Sequence, residues 1–338
     1  MSRIIVNNVT KNIELTWRGI KIRKSLDDIC HTLELEIPAG ERKNVRRHDL
    51  VQVRYENPLV RDSGGRRLVT TVRVDEIVSS ADVSQRSATV IGRSPARDII
   101  DSTWGEMIFD MTLFEIVKHV CDKFGLACNC FPKNKGDITK NVMYFTWENE
   151  SPWTKLVTEA DSQGLMITSN EAGGLYVWAV ASGARSEGFH LTEGQNIKTL
   201  EWRENAAEQF HEYVVKGFFS EAIEIDDTCP NKRVLTINLT DPEGDPEHAR
   251  RRAKTEMCRR KEKRATVTVP GWGLTDSQLK KLGDTTKKEI FWIPNSIIPV
   301  SIPSEGLSDT LLIYEVEHEA DAETMRTTIG LVNREAYL

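Results

Sequence analysis

Alternation of apolar and polar residues dominates the first 95 residues of this chain. Between residues 32 and 37, leucine and isoleucine alternate with threonine and glutamate. A period of two predicts strands with one buried face. The turn-forming stretch Asp62–Gly65 then reverses the chain into a predicted strand at Leu68–Ile77. Successive strands joined by turns predict an antiparallel barrel or sandwich over residues 1–97.

The apolar period changes to that of a helix at Thr112. Thr112 and Glu115 fit a capping box, in which the threonine side chain accepts a free backbone N–H at the helix start. A second helix is predicted to begin after Ser151 and to end at Gly164, and each helix leads into a strand. The inner face of the second helix is predicted to comprise Trp153, Leu156, Val157 and Ala160. Residues 98–187 therefore predict a small α/β domain.

The remainder of the chain predicts more strands around a charged insert. The segment Glu221–Pro246 is acidic and rich in turn residues, whereas Glu247–Arg264 predicts a helix with nine Lys/Arg against three Glu. A short helix is predicted at Asp276–Leu282. Strands are predicted at Ile197–Trp202, Glu208–Gly217, Ile297–Ile302, Thr310–Glu317 and Met325–Val332. The fold class is α+β and mainly β, with two β modules separated by an α/β domain.

Composition narrows the class of protein. A chain of 338 residues with 39% hydrophobic and 28% charged residues predicts two to four folded domains. The net charge of −6 gives no overall attraction to nucleic acid or acidic membranes. No run reaches the roughly 18 apolar residues of a membrane span, and Met1-Ser2-Arg3 leads into a strand rather than a signal peptide. We expect folding in a cytoplasm, with no stable membrane insertion.

The six cysteines are few and irregularly spaced, which is typical of reduced thiols. A zinc site from His119, Cys121, Cys128 and Cys130 is the alternative. His119 and Cys121 point about 200° apart around a predicted helix, and Cys121 lies on its apolar stripe. We therefore predict no metal site and no cofactor.

Candidate catalytic groups lack the partners that each reaction needs. His211-Glu212 and His318-Glu319 begin like a metalloprotease helix, but no second histidine follows at the fourth place. We expect His318 to be a surface residue of a hairpin. Gly92–Ala96 resembles a nucleophile elbow without its final glycine. Asp98 and Asp101 are expected to be surface groups on a short helical connection, so no catalytic residue is predicted.

Nucleotide and nucleic-acid sites are also poorly supported. Gly271-Trp272-Gly273 lacks the third glycine of a dinucleotide loop. The basic tracts Arg42–Arg47 and Arg250–Arg264 have no interleaved aromatic residues on which bases could stack. A solvated or partner-facing basic surface is favoured.

The order of these features resembles the baseplate hub proteins of contractile-tailed phages, which are related to the hub region of type VI secretion spikes. The stretches that carry the resemblance are Gly92–Asp101, Thr112–Leu126, Ser151–Ile167, the basic helix leading into Val267–Trp272, and Trp292–Asn295 before the last hairpin.

The resemblance implies a non-enzymatic homotrimer with two similar β-barrels in each subunit. The first barrel would be residues 1–97 and the second residues 188–220 with 290–338, while residues 221–289 would form an insert domain. Three copies would then match a six-fold tail tube to a three-fold puncturing spike. Implied partners are the trimeric spike protein, the tail tube and other baseplate proteins, with non-specific passage of DNA. Ile13, Trp17 and Trp292 are candidates for outward, subunit-facing positions.

The implied location is the tail baseplate of the virion, and the host cytoplasm during assembly. Because the chain stops at Leu338, soon after the last predicted strand, membrane piercing is expected to belong to a separate partner. The alternatives are a cell-wall hydrolase acting at host penetration, the hub of a type VI secretion spike, and an oligonucleotide-binding barrel.

Overall fold

The computed structural model describes residues 3–56, 66–81, 86–131, 141–179, 190–217, 220–239, 246–260, 263–275 and 289–337. The predicted turn at Asp62–Gly65 and the predicted helix at Asp276–Leu282 lie outside these ranges.

The first module is an antiparallel arrangement of seven strands. They are β1 (Arg3–Asn8), β2 (Ile13–Leu15), β3 (Gly19–Ser25), β4 (Thr32–Pro38), β5 (Leu50–Glu56), β6 (Arg66–Ala81) and β7 (Arg86–Arg93), with a 3₁₀ helix at Ala39–Asn44. Their order in the sheet is β2-β1-β5-β6-β7-β4-β3. Leu33, Leu35 and Ile37 are fully buried, as their alternation with polar residues predicts.

The α/β domain follows at once. Its elements are α1 (Arg97–Asp101), β8 (Trp104–Thr112), α2 (Leu113–Lys123), β9 (Cys128–Phe131), β10 (Asn141–Glu150), α3 (Pro152–Ser162), β11 (Leu165–Ser169) and β12 (Leu175–Ala179). β8 pairs with β10 as a two-stranded ribbon, and β11, β12 and β9 form a second small sheet. Leu156 and Ala160 of α3 are buried as predicted, but Val157 is 42% exposed, so the predicted inner face is too wide.

Both predicted helix starts are confirmed. Thr112 and Glu115 form a reciprocal capping box, and the Ser151 hydroxyl accepts from the N–H of Trp153 with Pro152 in the first turn. Gly125 and Gly164 follow the two helices with φ of +64° and +68°, a left-handed conformation that glycine adopts without strain.

Removal of the threonine cap should weaken α2. We expect Thr112→Ala to lower the free energy of unfolding by about 1 kcal/mol, because a backbone N–H at the helix start loses its acceptor. Thr158→Ala is a matched control, since the Thr158 hydroxyl only donates to the Thr154 carbonyl within α3. Urea denaturation measures both variants. Equal losses in the two would contradict the capping contribution.

The chain from Leu191 onwards contributes a second β module and an insert. Its elements are β13 (Leu191–Thr192), β14 (Thr199–Glu204), β15 (Glu212–Lys216), β16 (Glu221–Ile225), β17 (Val234–Asn238), α4 (Pro246–Arg260), β18 (Lys263–Pro270), β19 (Gly273–Thr275), β20 (Glu289–Phe291), β21 (Ile297–Ile302), β22 (Leu307–Ala320) and β23 (Met325–Val332). β15, β16 and β17 form a small sheet that packs on α4.

Two predictions for this region are wrong in detail. The segment after Glu221, predicted as turns, contains the strands β16 and β17. The predicted helix is too long at its C-terminal end, because Arg264 lies in β18 and pairs with Val332. Ala249 and Ala253 of this helix are fully buried.

The two β modules share one sheet. β22 pairs along one edge with β21 through its first half and with β3 through its second half, and its other edge pairs with β23. The resulting 13-stranded sheet runs continuously from β14 to β2. The prediction of a mainly antiparallel β protein is confirmed. No ladder closes either module into a barrel among the strands that the structure describes.

Each module nevertheless has its own hydrophobic core. The core of the first module includes Trp272 and Phe291, which the second half of the chain contributes. The core of the second module contains Trp292, which is 1% exposed. The prediction of Trp292 as an outward residue is therefore wrong. Trp17 is partly buried against the first core, and Ile13 is half-buried on the edge strand β2.

Candidate functional site at the junction of the β modules

A row of polar side chains lies on the sheet where the two cores meet. In the ladder between β3 and β22, Ile22 pairs with His318 and Lys24 pairs with Val316. Directly paired residues and residues two apart share a face, so Lys24 and His318 are diagonal neighbours. Ile22 belongs to the first core and Val316 to the second. We call Lys24, His31 and His318 the polar seam.

His318 is fully buried, which corrects its prediction as a surface residue. The Thr327 hydroxyl donates to the Gly271 carbonyl and accepts from Nδ1 of His318, at 3.0 Å. The ring lies between Trp272 and Phe291, with centroid distances of 5.2 and 4.9 Å. Burial holds the pKa of His318 well below its ordinary value, and the nearby positive charge of Lys24 lowers it further.

Lys24 is 2% exposed and lies near the carboxylate of Glu171. Its Nζ lies 3.9 Å from Oε1 of Glu171, in the turn between β11 and β12, and no hydrogen-bond acceptor among the described residues reaches it. Burial lowers the pKa of Lys24 to about 8, while Glu171 opposes and Arg67 reinforces that shift. His31, also buried, approaches Thr70 at 3.3 Å, and burial places its pKa well below the usual range.

The α/β domain covers the polar seam. The hydroxyls of Ser94 and Ser169 are 2.8 Å apart and buried, and the N–H of Ser169 donates to the Ile29 carbonyl. From the second module, the Asn295 side chain donates to the Ala179 carbonyl at 3.3 Å. All three parts of the chain therefore meet here. The contacts hold the parts in register.

A buried, poorly paired lysine costs stability. We expect Lys24→Met to raise the free energy of unfolding at pH 7 by about 1–3 kcal/mol, because an apolar side chain of similar length removes the desolvated charge. Lys21→Met on the same strand is a matched control, since Lys21 is partly exposed and pairs with Glu317 at 2.7 Å. Guanidinium titration measures both. A loss of stability in Lys24→Met would show that the Glu171 pair outweighs desolvation.

The two aspartates on the short helix α1 are held by arginines. Asp101 binds Arg93 at 2.6 Å, and this bond lowers the pKa of Asp101. Asp98 lies 3.4 Å from Nε of Arg97 and 4.0 Å from Nε of Arg73. Both lie on the short helix α1, as predicted. Gly92 is held close to the Arg73 carbonyl within the sheet, so it does not form a nucleophile turn.

The histidines that began a metalloprotease-like motif lie in different units. His211 precedes β15 in the insert sheet, and its Nδ1 donates to the Asp226 carbonyl at 3.0 Å. His318 lies in β22. The structure therefore does not bring these two side chains together with Asp98 into one site.

The zinc candidates separate into two groups. His119 binds Glu106 at 2.7 Å on the outside of α2. Cys121 lies in the core and donates to Cys128, which lowers the pKa of Cys128 and raises that of Cys121. Burial raises the pKa of Cys130 to about 11. Across the described ranges, no three His, Cys, Asp or Glu side chains are grouped as a metal site.

Two arginines of the basic helix α4 bind groups elsewhere in the same chain. Arg252 binds Asp161 at 2.6 Å, and Arg251 donates to the Ser162 carbonyl. Both contacts reach the end of α3 across a cleft of about 520 Å³. The Arg42–Arg47 tract, by contrast, lies on and after the 3₁₀ helix at Ala39–Asn44, on the surface.

Sequence reasoning missed Lys24 and Trp272 as junction residues. The signal for Lys24 was present, because Ile20, Ile22 and Lys24 occupy the same phase of an alternating strand. That phase places the lysine on the core face. No comparable signal marked Trp272, since its partners Tyr55 and His318 are far away in the sequence.

No helix in the described part of the chain has the length and apolar character needed to cross a bilayer.

This chain is similar in both fold and sequence to phage tail proteins. No protein-family model matches it. It is 24% identical over 363 residues to the baseplate hub protein gp44 of Escherichia phage Mu, covering 100% of this chain and 90% of that protein. The expected resemblance to baseplate hub proteins is thus confirmed over the whole chain.

Two solved structures share the fold. The 43 kDa tail protein of prophage MuSo2 from Shewanella oneidensis superposes with a TM-score of 0.78 at 22% identity, over 99% of this chain and 98% of that one. The E. coli c3393 protein, a type VI secretion component, superposes with a TM-score of 0.60 at 9% identity, over 97% and 76% of the two chains.

Proposed function

We propose that this protein is the structural hub of a phage tail baseplate. Similarity to the Mu hub protein along the whole chain carries the proposal. The architecture supports it, because one continuous sheet joins two β modules. Its place is the baseplate of the virion, reached after assembly in the host cytoplasm, and its role is non-enzymatic.

The hub acts as a homotrimer in this proposal. Each chain supplies two similar β domains, residues 1–97 and a discontinuous second domain that includes β14, β18, β21, β22 and β23, while residues 98–187 and the sheet of β15–β17 with α4 lie outside or below the ring. Three chains then present six similar modules to the tail tube and a three-fold surface to a trimeric spike. The ring forms part of the conduit for DNA ejection.

Mass and symmetry test the proposal. We expect light scattering to give three times the 38.3 kDa chain mass, and electron microscopy of the particle to show a three-fold ring with six similar lobes. A monomer at high concentration, in the presence and absence of the spike protein, would contradict the trimer. Two modules that do not superpose by a rotation of about 60° around the ring axis would contradict the symmetry adaptation.

A type VI secretion hub is the second candidate, and the shared fold with the c3393 protein favours it. Sedimentation of a producing culture separates the two. A phage hub should co-purify with DNA-containing tailed particles, whereas a secretion hub should co-purify with sheath tubes free of capsids.

A further inference from the structure

An exposed apolar patch lies on the outer face of the β8–β10 ribbon. Met107, Phe109, Met111 and Tyr144 are 51, 58, 36 and 49% exposed. Phe109 and Tyr144 pair directly across the two strands, with ring centroids 5.5 Å apart. We call these four residues the hairpin patch. Ile108 and Phe145, whose side chains alternate with those of the patch, are buried in the α/β core.

The composition of the hairpin patch is that of an interface. Aromatic residues and methionine are enriched at the centres of protein–protein contacts, and clustered exposed apolar side chains on a soluble domain mark such contacts. Val78, by comparison, is 46% exposed but stands alone on β6. Single exposed residues of this kind are ordinary.

Symmetry restricts what can cover the hairpin patch. In a ring of three identical chains each contact is head-to-tail, so the patch must meet a different surface of the neighbouring copy. The charge of the domain that carries the patch indicates which surface of the neighbouring copy is complementary. Residues 98–187 carry 7 Lys/Arg against 13 Asp/Glu, whereas residues 1–97 carry 18 against 12. Glu148, in phase with Tyr144 on β10, is exposed at the rim of the patch.

The first module has an exposed surface whose positive charge complements an acidic rim. Val9 is 43% exposed, and Lys43, Arg46 and Arg47 are exposed near it. The N–H of Val9 donates to the Leu50 carbonyl, just after the arginines. No ion pair among the described residues involves Lys43, Arg46 or Arg47. We call Val9, Lys43, Arg46 and Arg47 the basic turn.

A further group of exposed apolar residues, on the insert sheet, is less complementary to the hairpin patch. Ile223, Ile225 and Val234 lie on the insert sheet, where Glu212 pairs with both Ile225 and Val234 in the ladder. The next charges on that face form a Lys216–Glu221 ion pair at 3.7 Å. This surface therefore offers no surplus of positive charge to an acidic rim.

We propose that the hairpin patch of one copy docks on the basic turn of a second copy. This inference rests on the proposed trimer and states which surfaces build it. The apolar residues supply the buried centre of the contact, and Glu148 pairs with the arginines at its rim, where charges set orientation.

Charge reversal with rescue tests the contact by sedimentation of the full chain over a range of concentrations. We expect Phe109→Ser to raise the concentration of half-dissociation of the trimer by about tenfold or more, the size typical of an interface anchor. Glu148→Lys and Arg47→Glu should each weaken the trimer about threefold or more, and the double variant should recover most of that loss. Val78→Ser is the matched control, and circular dichroism verifies that each variant folds.

The outcomes separate this inference from the proposed function. A wild-type trimer that Phe109→Ser leaves intact, or a double variant without recovery, would overturn the contact and leave the trimer standing. A Phe109→Ser trimer that instead loses a spike or tube protein would assign the hairpin patch to that partner and also overturn the contact. A wild-type chain that stays monomeric would overturn the trimer itself.

Discussion

Replacement of Trp272 by alanine should lower the free energy of unfolding by about 3–5 kcal/mol. Trp272 is fully buried in the core of the first module, although it comes from the end of β18 in the second half of the chain. It stacks on Tyr55 at 6.1 Å, contacts His318 at 5.2 Å, and donates from Nε1 to the Glu319 carbonyl at 2.9 Å. The loss combines a large cavity with one lost hydrogen bond to the Glu319 carbonyl.

Because Trp272 connects the two modules, its replacement should also change how the modules unfold relative to each other. We expect thermal unfolding of Trp272→Ala to resolve into two transitions, because the side chain joins the core of one module to the strands of the other. Trp202→Ala is the matched control, since Trp202 lies on the edge strand β14 and is only partly buried. A single transition at an unchanged temperature would show that Trp272 does not hold the modules together.

Acid should destabilise the protein between pH 7 and pH 5, before most carboxylates are protonated. His31 and His318 are uncharged in the fold because burial depresses their pKa values, while the unfolded chain titrates near pH 6.5. Below that pH the unfolded state binds more protons, so stability falls as pH falls. For two such histidines the loss is about 3–4 kcal/mol over this interval. Lys24 keeps its charge between pH 7 and pH 5, so it does not contribute to the change in stability over this interval.

Denaturant titrations at several pH values check this expectation. The double variant His31→Asn, His318→Asn should be nearly independent of pH from 7 to 5. His48→Asn is the matched control, because His48 is exposed and its φ of +71° is one that asparagine tolerates. If the free energy of unfolding of the double variant fell with pH as steeply as that of the wild type, other groups would govern the acid response. The carboxylates with lowered pKa, such as Asp101, act only below their unfolded value near pH 4.

Sequence patterns predicted the structure correctly wherever neighbouring residues decide the backbone conformation. Thr112, Ser151 and the glycines after the helices were predicted correctly, because capping and left-handed stops depend on four or five consecutive residues. The alternation in β4 was equally reliable. The acidic strand β16 was missed, because its exposed isoleucines and glutamates do not separate into one apolar and one polar face.

The sequence by itself determined a mainly β chain, its helix boundaries in the α/β domain, and its resemblance to baseplate hub proteins. Only the tertiary structure decided that β22 joins both modules into one sheet, that His318 and Trp292 are buried, and that Lys24 lies beneath Glu171. The physical reason is that periodicity shows which face of an element is apolar, whereas the partner covering that face comes from residues up to 300 positions away.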